Sequence, residues 1–178
     1  MSESELAKIK EFPESSIPQT QALPSVALGL TARAGFAKSG AENGKSGMAY
    51  SIGLIAVKNF GFLDFVPELR FSSEEFEIKE KKVSVLKIDV PLTARIVFIE
   101  RIGLSAGAVA AVPLSVKIEG EVPKDAKKFG VAATGGLTYI FTDNIFINAF
   151  YEKYFTENFK SVKNSNTDKV LCGIGYLF

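Results

Sequence analysis

Residues 170–178 read VLCGIGYLF, and the alternation within them decides the fold. Val170, Cys172, Ile174, Tyr176 and Phe178 share one parity, while Leu171, Gly173, Gly175 and Leu177 share the other. Successive side chains of a strand point to opposite faces. One face is therefore oily and partly aromatic, and the other is mostly small. A strand that keeps this character to its last residue is expected to be paired along both edges, because a frayed end would lay the oily face in water. Pairing on both edges at the end of a chain suits a closed barrel, and the other reading of this stretch is a core strand of a soluble sandwich that happens to end the chain.

The same alternation recurs upstream. Val26 to Phe36 places Leu28, Leu30 and Ala32 opposite Gly29, Thr31 and Arg33. A second strand over 49–60 sets Tyr50, Ile52 and Leu54 against Ser51, Gly53 and Ile55. A third, beginning near Phe62, sets Phe65, Leu69 and Phe71 against Glu68, Arg70 and Ser72, although Pro67 is awkward inside a sheet. In the fourth, Leu86, Ile88, Val90, Leu92 and Ala94 alternate with Lys87, Asp89, Pro91, Thr93 and Arg95. The fifth, sixth and seventh strands continue the pattern through Leu104, Val131 and Ile147. With the final stretch the reading is all-β, an eight-stranded antiparallel up-and-down barrel.

The connections are expected to alternate in length. Long ones are read at 39–47, 74–82, 117–128 and 156–168, and short turns at 59–61, 99–101 and 142–144. The charged stretch 74–82 reads either as a loop or as two strands continued above a membrane. Segregating short turns to one end is a habit of membrane barrels. The strand lengths suit a tilted membrane strand of about 9–11 residues. Residues 1–24, with Pro13, Pro18 and Pro24, read as a loosely structured leader to a barrel spanning 25–178. No secretory signal is visible at Met1, so the numbering is expected to start at a mature or engineered start.

The charged residues decide which face is inside. Arg33, Glu68, Arg70, Lys87, Asp89, Arg95 and Glu152 all fall mid-strand on the small-residue parity, with Glu74 a possible further acid near the rim. Small residues suit a narrow lumen that a few long side chains fill, whereas a wet outer face would leave room for larger β-formers. The expectation is a transmembrane barrel with an oily outside and an internal salt-bridge network. The competing reading keeps these charges in water on a soluble barrel.

Composition excludes several functions. Net charge is +1, and no basic run interleaved with aromatics points to nucleic acid. There is no histidine, which removes the commonest general base. Cys172 is the single cysteine, so neither an internal disulfide nor a cysteine metal cluster can form. No run of about 18 apolar residues marks a membrane helix, a test that barrels do not meet in any case. Catalytic residues, cofactor and metal are all expected to be absent.

Five segments carry a resemblance: VPELRFS at 66–72, LKIDVPLTARIVF at 86–98, LSAGAVAAV at 104–112, FTDNIFINAFYEKYF at 141–155 and GIGYLF at 173–178. In order and spacing they resemble the small eight-stranded outer-membrane barrels of the OmpA and OmpX type, the outer-membrane protein beta-barrel domain of Gram-negative bacteria. The resemblance implies a bacterial outer-membrane location and contact with outer-membrane lipid. It also implies recognition by the barrel-assembly machinery through the C-terminal strand, with Ile174, Tyr176 and Phe178 as the signature. A structural or surface-interaction role through the long loops follows, with a surface or protein partner there. The alternative is a lipocalin-like or membrane barrel that binds or passes a small apolar ligand.

Overall fold

Period-two patterning carries through to eight strands in the computed structural model, which describes residues 26–41, 43–99, 101–119, 128–157 and 165–178. They are β1 (Ala27–Ser39), β2 (Ser46–Asn59), β3 (Asp64–Ile78), β4 (Lys81–Ile99), β5 (Ile102–Ile118), β6 (Gly130–Ile140), β7 (Ile145–Tyr154) and β8 (Thr167–Leu177). Each pairs antiparallel with its sequence neighbour, and β8 returns to β1 to close the barrel. The closing register runs from Gly29 opposite Leu177 to Ser39 opposite Thr167. Phe178 adds its N–H to the Leu28 carbonyl at 2.8 Å. The leader read at 1–24 lies outside the described residues.

The two parities separate in space. Ile52, Leu54, Phe71 and Ile174 stand on the outer wall, Ile52 being 64% exposed, while Arg33 on the opposite parity is 5% exposed. In water this surface would carry an oily belt around the whole circumference, far beyond the single patches that soluble monomers show. The belt is the lipid-facing band of a membrane-spanning barrel. The reading with phenylalanines inside and charges outside is the reverse of what the fold adopts.

Of the two readings of the stretch 74–82, the structure takes the continued strands: β3 runs on to Ile78, β4 starts at Lys81, and only Lys79 and Glu80 turn the chain. Both turn residues have positive φ (50° and 67°), the left-handed pair that suits the twist of a tight hairpin. At the C-terminal end, β8 starts at Thr167 rather than Val170. Likewise β5 runs to Ile118, past the predicted loop start at 117. Strands β3, β4 and β5 have 15, 19 and 17 residues against 11, 10 and 11 for β6, β7 and β8. One side of the barrel therefore rises well beyond the other at the long-loop end. Exposed ion pairs tie this extension together: Lys45 to Glu77 at 3.0 Å, Lys82 to Glu75 at 2.9 Å and Lys81 to Glu119 at 3.1 Å. Such pairs contribute little each.

The prolines are accommodated by local breaks in the ladder. Between β2 and β3 the register is unchanged on both sides but skips the pairs 56–67 and 57–66, where Pro67 has no N–H to give. Between β3 and β4 it skips 68–91 and 69–90 in the same way, beside Pro91. At Pro113 the β4–β5 register shifts by a bulge between Leu86 and Lys87.

Candidate functional site: the ionic lumen

The lumen contains ten charged side chains among the described residues, all buried: Arg33, Arg70, Lys87, Arg95 and Lys169 against Asp64, Glu68, Glu74, Asp89 and Glu152. Five cations meet five anions. Each stands on the inward parity of its strand, and the small inward residues make room for them. A Cβ at Gly173 would collide with the Arg33 side chain, and one at Gly53 would crowd the Glu68 carboxylate.

At the short-turn end Arg95 donates from Nε and a terminal nitrogen to Asp64 Oδ2, at 2.9 and 2.7 Å, and Asn59 Nδ2 donates to Asp64 Oδ1 at 2.7 Å. Further in, Arg33 reaches Glu68 Oε1 at 2.6 Å and Asn148 Oδ1 at 3.1 Å, while Thr31 donates its hydroxyl to the same Glu68 oxygen. The Arg33 guanidinium also lies 5.4 Å from the centre of the Phe150 ring.

Toward the loop end the pairs merge into a network spanning the lumen. Arg70 on β3 reaches Asp89 on β4 at 3.1 Å and Glu152 on β7 at 2.6 Å. Lys169 on β8 lies 2.9 Å from Glu74, 2.8 Å from Glu152 and 3.5 Å from Asp89. Lys87 pairs with Glu74 at 2.7 Å. Tyr154 joins the network: Lys169 donates to its phenol oxygen at 3.2 Å, and the phenol donates to Asp89 at 3.3 Å. The Lys87 ammonium sits 4.0 Å from the centre of the same ring. Ser72 donates to Asp89 at 2.7 Å. Taking so many charges out of water is costly, and only mutual pairing with saturated hydrogen bonds offsets it.

Apolar clusters lie on either side of this layer. Phe76, Ile78, Val83, Val85, Val116 and Leu171 gather toward the loop end. At the opposite end Ala27, Ile55, Val57, Val66 and Phe146 gather with Leu177. A chamber among the lower ion pairs measures about 20 Å³, space for a single water. Among the described residues, no group of three or more His, Cys, Asp and Glu is arranged to hold a metal.

The seven charges singled out by parity all line the lumen in ion pairs. Three partners were not among them. Asp64 shares the parity of Glu68 and Arg70 in the sequence, but it stands at the first residue of β3 and so falls outside the mid-strand charges. Glu74, a possible further acid near the rim, falls in the stretch that reads as loop or continued strand, so it stands apart from the mid-strand charges. Lys169 lies in β8 two residues past Thr167, between the loop read to 168 and the strand read from Val170. Extending the inward parity of residues 171–177 back by one step finds it. The C-terminal trio is on the outer wall: Ile174, Tyr176 and Phe178 are 53%, 48% and 67% exposed. The Tyr176 and Phe178 rings meet edge to face at 5.8 Å.

No family model matches the chain, and no curated protein sequence matches it. Solved structures do. Neisserial surface protein A superposes with a TM-score of 0.65 at 17% identity, over 87% of this chain and all (100%) of that one. Ail, the attachment invasion locus protein of Yersinia pestis in complex with the heparin analogue sucrose octasulfate, gives 0.50 at 16%, over 86% and 97%. The same Ail protein in a phospholipid bilayer nanodisc gives 0.50 at 13%, over 84% and 99%. The chain has the fold of small eight-stranded outer-membrane barrels.

Proposed function

We propose that this chain is a small integral outer-membrane protein whose lumen is a closed, salt-bridged core and whose task is structural or lies in surface contacts at its loop end. The carrying observation is the neutral lumen, five cations paired with five anions between apolar clusters. A general pore needs a continuous wet path, and an eight-stranded barrel filled by side chains leaves none. An apolar carrier needs an oily lumen of several hundred cubic ångströms, against a polar chamber of about 20 Å³. An enzyme needs an acid or base free to exchange protons, whereas these acids are committed to cations. Function is then left to the extension of β3, β4 and β5 and to the neighbouring connections. Ile174, Tyr176 and Phe178 are free on the outer wall of the closing strand, where an assembly machine could read them before the barrel closes.

Expression in a Gram-negative host with an added export signal tests the reading. The chain is expected in the outer-membrane fraction, soluble only in detergent, with heat-modifiable gel migration and no steady conductance in a planar bilayer. Purification as a folded monomer without detergent overturns the membrane assignment. Stable single-channel openings overturn the closed lumen.

A further inference from the structure

The ladder gap beside Pro91 and the chamber in the lumen coincide. A ladder that keeps its register but drops two consecutive pairs has lost one hydrogen bond, here the one that an N–H at position 91 would give to the Glu68 carbonyl. The neighbouring Val66 carbonyl keeps its ladder partner Thr93 and takes the Thr93 hydroxyl as a further donor at 3.1 Å. Among the described residues no such side-chain bond serves the Glu68 carbonyl. At the depth of a bilayer an unsatisfied carbonyl is expensive, since lipid offers no donor. Glu68, Pro91 and Thr93 all line the chamber, as does Arg70. Arg70 is 2% exposed, and its Nε–H finds no acceptor among the described residues although its outer nitrogen serves Asp89 and Glu152. A buried donor and a buried acceptor thus border one chamber of about 20 Å³.

We infer that this chamber is a binding site for one internal water molecule, which accepts from Arg70 Nε–H and donates to the Glu68 carbonyl. Water suits it better than a halide. Each cation that lines it, Arg33, Arg70 and Arg95, already has a carboxylate partner, so an anion would add an uncompensated charge to a dry lumen. The volume admits one water, which needs two to four polar partners, and donor, acceptor and the Thr93 hydroxyl supply them. The site also explains how a proline is tolerated in a membrane strand: the water substitutes for the missing N–H.

The test is water-selective nuclear Overhauser spectroscopy on the labelled, full chain in nanodiscs, with Pro91→Ala as the variant. In the unaltered protein a cross-peak between water and the Arg70 Nε proton is expected, with the sign of a bound, slowly tumbling water. Its absence overturns the inference. A shift of that Nε resonance on titrating bromide also overturns it, in favour of an anion. Pro91→Ala restores an N–H that competes for Glu68. If the new amide is protected from exchange, the water cross-peak must fall at least about threefold. If the amide exchanges freely, the cross-peak must persist, the water having kept the carbonyl. Either crossed result, protection with a full cross-peak or free exchange with a lost one, overturns the shared-carbonyl geometry. Should the variant fail to fold on the heat-modifiability gel, the unaltered protein's cross-peak and the bromide titration decide by themselves.

Discussion

Lys169 on the last strand lies 2.9 Å from Glu74 on the third, so the strand that closes the barrel is tied across the lumen to the opposite wall. The same ammonium also reaches Glu152 at 2.8 Å. The ionic network is therefore complete only with β8 in place in the closed wall.

Lys169→Met is expected to be the most damaging single change in the lumen. It keeps the stem but leaves Glu74 and Glu152 short of a cation at 2% and 1% exposure. Breaking a buried pair costs about 3–5 kcal/mol. Urea titration in lipid vesicles, followed by gel mobility, measures it. A loss under about 1 kcal/mol, the range of exposed pairs, shows water reaching the network.

Arg95→Ala is expected to cost about 3 kcal/mol, at the low end of that range, because Asn59 continues to donate to Asp64 at 2.7 Å. The double variant with Asp64→Asn is expected to recover part of the loss, since no unpaired charge is then left buried. Equal losses in the single and double variants would contradict the pairing.

On the outer wall, Leu54→Arg separates membrane from water. Leu54 is 58% exposed and faces Leu30 and Leu69 on its two neighbouring strands. In lipid, arginine near the midplane costs about 2–4 kcal/mol. In water the same exposed substitution falls within about 0.5 kcal/mol of neutral. Unfolding of the variant in bilayers distinguishes the two values.

Phe178→Ala is expected to split assembly from stability. The ring is 67% exposed and touches Tyr176 only edge on, so the purified barrel should unfold within about 1 kcal/mol of the parent. In cells, pulse-chase should show slower appearance of the heat-modifiable form. Unchanged assembly kinetics would remove the C-terminal signature as a recognition element.

Alternation divides each strand into two faces, because period two is a local property of the backbone, and the charges and small residues then say which face is the lumen. It named Arg33, Arg70 and Glu152 as lumen groups without saying which would meet. It missed Lys169, and held Glu74 only as a possible rim acid, where a polar run gives strand the look of loop. Hydrophilic residues at a strand end read as a connection unless the partner strand is known. In this protein, neighbouring strands and buried counter-ions make those ends strand.

By itself the sequence determined an inverted barrel of eight strands, since greasy and charged parities repeat eight times between turn signals. Only the tertiary structure decided the pairings. Arg70 and Glu152 stand 82 residues apart and meet at 2.6 Å because closure and stagger bring β3 and β7 face to face across the lumen. That choice depends on which residues share a height inside the closed wall, a quantity no short window of sequence contains.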